Sequence, residues 1–179
     1  GEKLEGINFE VYPGEVLGLA GLVGSGRTEL AWMLFGLSQL KTGGIRYFDE
    51  ELKTINPSAS IKRGIMYLPE DRKLMGLFLN QSLTVNTTAS KIEKVRRSIF
   101  IDSKKENRLT LKMLDDLDVK YAFLDQLALK LSGGNQQKVL FGKCLFTDPR
   151  LLILDEPTKG IDVGSKEEIY ELIEDLVEM

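Results

Sequence analysis

The sequence predicts an α/β fold with a mostly parallel sheet. Three observations point there. Short apolar runs recur at EVLGLAG (15–21), IMYLP (65–69) and LLILDEP (151–157), each of strand length. Longer segments with helical spacing separate them. Strands that alternate with helices are joined by crossovers and therefore run parallel. The 179 residues suit one domain or one lobe of a slightly larger one.

The elements follow in order. INFEVYPGE (7–15) alternates apolar and polar residues and turns at Pro13-Gly14, and GGIRYFDEELKTI (43–55) reads as another polar-faced strand pair. Together they predict a small antiparallel sheet beside the core. EVLGLAG reads as a buried strand feeding a glycine loop. RTELAWMLFG (27–36) sets Leu30, Ala31, Leu34 and Phe35 at helical spacing, with Gly36 as its stop. Trp32 on this helix is expected in a packing contact rather than stacked on a base.

NPSASIKRG (56–64) predicts a short helix capped by Asn56, with Pro57 at its first position. IMYLP is the next buried strand, and the charged EDRK (70–73) follows it. From about 82 to 130 helical pattern takes over. Ser103 and Glu106 stand at capping-box spacing, and Leu109, Met113, Leu114 and Leu117 line one face. The basic run Lys91–Arg97 reads as an exposed helix face. LSGGNQQKVLFGKCLFTDP (131–149) is a glycine turn, a helix and a proline stop. A last helix starts at Ser165 and Glu168, with Ile169, Leu172, Ile173, Leu176 and Val177 inward. This divides the chain into an α/β core (1–81 and 132–179) and a helical subdomain (82–131).

Composition excludes several functions. A net charge of −3 gives no basic field for nucleic-acid phosphates. No apolar run approaches the roughly 20 residues that span a bilayer. The start GEKLEG lacks the pattern of a secretory leader. The single cysteine, Cys144, cannot form an internal disulfide and reads as a buried small hydrophobe. No histidine is present, which rules out His-dependent catalysis and His-ligated zinc within this chain. These features fit the cytosol.

Three constellations carry chemistry. GLVGSGRT (21–28) lies between a predicted strand and a predicted helix. Its glycines let backbone N–H groups converge on a phosphate, and the helix adds the positive end of its dipole. Thr28 supplies a hydroxyl able to ligate Mg²⁺. Arg27 stands where this phosphate-loop pattern expects lysine. Asp155 and Glu156 close the third apolar run, at the carboxyl end of a strand where ligands bind in such sheets. Asp155 suits Mg²⁺, and Glu156 suits orienting and deprotonating a water. LSGGNQQ (131–137) forms a second phosphate receptor at a helix N-terminus. One triphosphate needs only one such receptor, so the second is expected to serve a nucleotide held by another subunit.

In this order and spacing, the glycine loop, LSGGNQQ and LLILDEP resemble the ATPase domain of ABC proteins, with a P-loop core, over essentially the whole chain. GLVGSGRTEL, YLPEDRKLMGL (67–77) and DEPTKGIDVGSKEEIY (155–170) resemble the second nucleotide-binding half of bacterial carbohydrate importers of the ribose, galactose and xylose type. The resemblance implies ATP and Mg²⁺ as cofactors. It assigns Gly21, Leu22, Val23, Gly24, Ser25, Gly26, Arg27, Thr28 and Glu29 to the nucleotide. It assigns Ser132, Gly133, Gly134 and Gln136 to the γ-phosphate of the facing half, and Gly160, Ile161 and Asp162 to the dimer seam. Asp155, Thr28 and Glu70 would hold the metal, with Glu156 and Glu70 catalytic.

Glu70 stands where most members carry glutamine, against Mg²⁺, water and the membrane subunit. Arg72 and Lys73 then read as a solvated loop or as facing that subunit. Arg27 is planar and forked and cannot place a compact ammonium between β- and γ-phosphates. Weak hydrolysis at this site is therefore expected. The family's adenine-stacking aromatic and switch histidine are expected just before Gly1 and just beyond Met179, with C-terminal strands also beyond the chain.

Implied partners are a second ATPase half in the same or a tandem chain, transmembrane permease subunits and, indirectly, a periplasmic or extracellular solute-binding protein; nucleic acid is not among them. The expected location is peripheral, on the cytoplasmic face of the cell membrane. The alternatives are a non-catalytic nucleotide-binding regulatory half and a soluble ABC ATPase outside transport. DNA-repair members insert a long coiled coil between loop and signature. Here only about a hundred residues intervene, without a heptad run.

Overall fold

The computed structural model describes residues 4–178. Its centre is a parallel pair, β3 (Ile65–Leu68) and β6 (Leu151–Leu154), in register from Ile65↔Leu151 to Leu68↔Leu154. Successive side chains of a strand point to opposite faces, and each face has its own core. Met66, Leu68, Leu152 and Leu154 join one core; Ile65, Tyr67, Leu151 and Ile153 join the other.

The first core is covered by α3 (Leu83–Thr88), α4 (Ser103–Asp116), α5 (Gly133–Leu145) and α6 (Val163–Glu178). Leu83, Leu114, Val139, Phe141, Cys144 and Ile169 are fully buried in it. On the opposite face α1 (Arg27–Phe35) supplies Ala31 and Phe35, while Ile61 of α2 (Pro57–Arg63) packs at the margin of both cores. Helices on both faces of a parallel pair are the layering that the alternation predicts.

Several local expectations are met. Asn56 caps α2 by accepting from Ala59 N at 2.9 Å, with Pro57 at the first position. Gly36 ends α1 in the left-handed region, its N–H donating to the Trp32 carbonyl at 2.8 Å. Residues 43–55 hold an antiparallel hairpin, β1 (Arg46–Tyr47) and β2 (Glu50–Glu51).

Others are corrected. The apolar run 15–20 is unpaired, with Val16, Leu17 and Leu19 exposed. A strand is defined by a hydrogen-bonding neighbour, and the run finds none among the described residues. Residues 7–15 turn at Pro13-Gly14, as Glu15 N donates to Tyr12 O at 3.1 Å, but form no ladder. The cap of α4 is Asp102, which accepts from Lys105 N at 3.0 Å. Glu106 does not reach back to it; its carboxylate lies 2.8 Å from the buried Thr88 hydroxyl. The basic run is not one helix face. Lys91 and Lys94 both pair with Asp148, and Arg96 and Arg97 form β4 of a hairpin with β5 (Phe100–Ile101). The last helix starts at Val163, because Asp162 rather than Ser165 supplies its cap.

Candidate functional site

The glycine loop meets α1 at Gly26, whose φ of 91° is left-handed, as is that of Gly24 at 83°. That region costs a side-chain-bearing residue strain and glycine none. Gly26 caps α1 without a side chain, and its carbonyl accepts the first helical bond from Leu30 N at 2.9 Å. The N–H groups of the first turn are thus left for another acceptor, where the helix dipole favours an anion. Leu22 and Val23 stand out in solvent at the loop tip, Glu29 is exposed, and Thr28 is half-buried on the first turn.

The tip of β6 faces this helix start. Arg27 Nη2 lies 3.1 Å from Glu156 Oε1. Glu156 itself has a φ of 47°, a left-handed conformation that non-glycine residues rarely hold and that gathers at functional sites. Asp155 is buried, and its Oδ2 accepts from the Tyr67 hydroxyl at 3.0 Å. Trp32 Nε1, one turn along α1, donates to the same Tyr67 oxygen at 3.1 Å. Burial, with the Asp155 carboxylate beside it, pushes the Tyr67 phenol well above its ordinary value. Glu70, just past β3, is ion-paired with Lys159. That contact also raises the Lys159 ammonium.

The donors that the sequence names for a metal are the Asp155 carboxylate, the Thr28 hydroxyl and the Glu70 carboxylate. Oxygen donors suit a hard cation such as Mg²⁺, which keeps waters and shares phosphate oxygens rather than needing an all-protein cage. Among the described residues no three acids gather as a cage. The residues present therefore fit a cation that arrives with its nucleotide.

A family model described as ABC transporter matches residues 4–159. The chain belongs to the ABC transporter family. Two ribose import ATP-binding proteins are similar to it. That of Caldanaerobacter subterraneus subsp. tengcongensis is 47% identical over 173 residues, covering 96% of this chain and 35% of its own length. That of Geobacillus kaustophilus is 45% identical over 172 residues, covering 96% and 35%. The chain thus spans about a third of the length of these curated relatives. Among solved structures, a dimeric post-hydrolysis state of the ATP-binding cassette MJ0796 bound to ADP and Pi aligns with a TM-score of 0.78 at 22% identity. It covers 96% of this chain and 73% of that one. At that identity the likeness establishes the cassette fold.

The signature stretch of this cassette lies at the start of α5. Ser132 caps the helix, its Oγ accepting from Asn135 N at 3.4 Å and from Asn135 Nδ2 at 2.9 Å. A Cβ on Gly133 would sit 3.1 Å from Arg72 Nη2, and one on Gly134 would run into Ser165 Oγ. Both glycines therefore let α5 approach the 160–165 turn closely. Gln136 faces inward: its amide donates to the Ala128 and Leu131 carbonyls at 3.2 and 3.3 Å. Asp162 accepts from Ser165 N at 3.0 Å and from Ser165 Oγ at 2.8 Å, and these bonds hold its carboxyl below the usual range. Among the described residues no hydrogen bond or ion pair joins 132–136 to 21–29.

Three residues were missed or misread in the sequence. Tyr67 gave no signal beyond an apolar run. Arg72, read as exposed, is buried; its Nη1 and Nη2 donate to the carbonyls of Lys159 and Gly160 at 2.7 and 2.9 Å. Its distance from them in sequence hid that role. Lys159 neutralises Glu70, and only the acid's place in the phosphate region hinted that it needed a partner.

Proposed function

We propose that this chain is the ATP-binding, energy-coupling domain of a carbohydrate importer, with slow hydrolysis at its own site. The Arg27–Glu156 ion pair carries the reading. It ties the basic residue of the phosphate loop to the acid at the strand tip.

In the proposed cycle the triphosphate lies over residues 21–28, and the N–H groups at the start of α1 hold its charge. Thr28, Asp155 and Glu70 would hold Mg²⁺, which when bound offsets charge on the β- and γ-phosphate oxygens. Glu156 takes a proton from water as its oxygen attacks the γ-phosphorus; the bond to the ADP oxygen breaks and phosphate leaves. Arg27 serves two partners. While it holds Glu156, that carboxylate oxygen is occupied and not free to take a proton from water. When it turns to phosphate, its fork spans oxygens without filling the place of an ammonium. Turnover is slow for both reasons. The Glu70–Lys159 pair lowers the repulsion that an acid near the phosphates would otherwise exert.

Gly133 and Gly134 lie against Arg72 and the 160–165 turn; in a head-to-tail pairing Ser132, Gly133 and Gly134 would serve a nucleotide held by a second ATPase half. ATP favours the closed pair, and hydrolysis resets it. The helical subdomain, 82–131, would pass closure to the permease subunits. Leu74, Met75 and Phe78, exposed just past Glu70, offer apolar surface for that contact. No helix is long and apolar enough to cross a membrane among the described residues. In this reading the domain is peripheral, on the cytoplasmic face, and a solute-binding protein acts through the permease.

A second reading, a nucleotide-binding regulatory half without turnover, draws on the same ion pair. Phosphate release by the intact polypeptide separates them. Weak hydrolysis that Glu156→Gln abolishes and Arg27→Lys raises by about tenfold, or ~1.4 kcal/mol in barrier, supports the first. ATP binding without Glu156-dependent release supports the second. Fast hydrolysis unaffected by Arg27→Lys contradicts the role given to Arg27.

A further inference from the structure

We infer that Tyr67 is a positioning residue for the metal ligand Asp155, itself held in place by Trp32. This rests on the nucleotide-site reading above. The geometry fixes the direction of every proton in the chain. An indole N–H can only donate, so the Tyr67 oxygen accepts from Trp32 at 3.1 Å. The phenol has one hydrogen left, and it goes to Asp155 Oδ2 at 3.0 Å, since an ionised carboxylate only accepts. All three groups lie against the second core, and Tyr67 and Asp155 are each less than a tenth exposed.

Fixing Oδ2 in this way leaves Oδ1 as the oxygen that presents to a cation. It also fixes the rotation of the carboxylate, which a buried strand end alone would not. Groups that hydrogen-bond a metal ligand commonly matter to metal affinity by about 10–100-fold.

The relay also has a mechanical consequence. Trp32 belongs to α1, whose N-terminus receives the phosphates; Tyr67 belongs to β3; Asp155 ends β6. Two hydrogen bonds thus link α1 to the tip of β6.

The test uses the intact polypeptide and Mn²⁺ as a spectroscopic probe, followed by electron paramagnetic resonance in the presence of ADP. Nucleotide affinity is measured separately in EDTA, and folding by thermal melting. Tyr67→Phe keeps the ring and its packing but removes the hydroxyl. We expect it to weaken Mn²⁺ binding by about tenfold or more, with metal-free ADP affinity unchanged. Trp32→Phe, which leaves the Tyr67–Asp155 bond but frees the phenol, is expected to give a smaller loss in the same direction. Should Tyr67→Phe melt far below the parent, Trp32→Phe carries the test. Mn²⁺ affinity that Tyr67→Phe leaves intact while Asp155→Asn removes it overturns the inference alone, as does an unchanged affinity in Trp32→Phe when that variant carries the test. A parent that binds no nucleotide in either condition contradicts the site itself.

Discussion

Single residues decide what this site can do, and two arginines show how differently they act. Arg27 is a third exposed and pairs with an acid that is itself half exposed. In such a setting an ion pair adds little to stability, so in the proposed cycle its effect is on chemistry: it occupies Glu156 and withholds Arg27 from phosphate. Arg72 is the opposite case, buried and committed to two carbonyls of the loop that follows Glu156. Replacing it with methionine strands both carbonyls. We expect Arg72→Met to cost about 3 kcal/mol, read as a lower urea midpoint, and to loosen the 157–162 loop in amide exchange. Arg72→Lys should recover only part of this, because an ammonium cannot fork to two acceptors. Arg27, Thr28, Asp155 and Glu156 stood out as candidates in the sequence, since their neighbours in the chain carry the chemical pattern, and the structure brings Arg27 against Glu156. It hid Tyr67, Arg72 and Lys159, whose partners are 88, 87 and 89 positions away.

At the scale of elements, the contact between α5 and the start of α6 organises the signature region. Gly134 lies against Ser165, and Ser165 is tied to Asp162. A methyl on Gly134 has no space, so Gly134→Ala is expected to destabilise by about 1–3 kcal/mol, measured by equilibrium urea unfolding. Gly134→Ala combined with Ser165→Gly should recover most of that loss. The cap of α6 also predicts a pH dependence. Hydrogen bonds from Ser165 hold the Asp162 carboxyl below its unfolded value. A depressed folded pKa contributes stability that is present above the unfolded value and fades as pH falls through the folded one. Protection of the Ser165 amide should therefore drop in acid, below the ordinary aspartate range, and Asp162→Asn should remove that sensitivity. The caps at Asn56, Gly36 and Ser132 were readable because their signals are local, whereas those of α4 and α6 fall on Asp102 and Asp162 rather than on the serines read from spacing. The run 15–20 was not. Its composition announces a strand, but pairing belongs to two segments and cannot be read from one.

For the whole molecule, two cores on either face of β3–β6 hold the site between them. One carries the signature helix α5, the other the phosphate-loop helix α1. Leu114 is fully buried in the first, and Leu114→Ala should cost about 2–5 kcal/mol in global stability while leaving ADP affinity unchanged. Cys144 reports on the same core. Burial pushes its thiol up to about 12, so it should resist alkylation at neutral pH until the protein unfolds. The fold class was legible because apolar runs and helical spacing alternate along the whole chain, and the unbroken apolar runs IMYL and LLIL follow from packing on both faces. What holds the account together is that residues 21–28 and the tip of β6 form one nucleotide site. A photoactivatable ATP analogue, applied to the intact polypeptide with Mg²⁺ and located by mass spectrometry, tests this most directly. The account predicts labelling on peptides carrying residues 21–29 and 155–162, lost together in Thr28→Ala and in Asp155→Asn. Labelling confined to peptides outside this chain, or labelling here that both substitutions leave untouched, would contradict it.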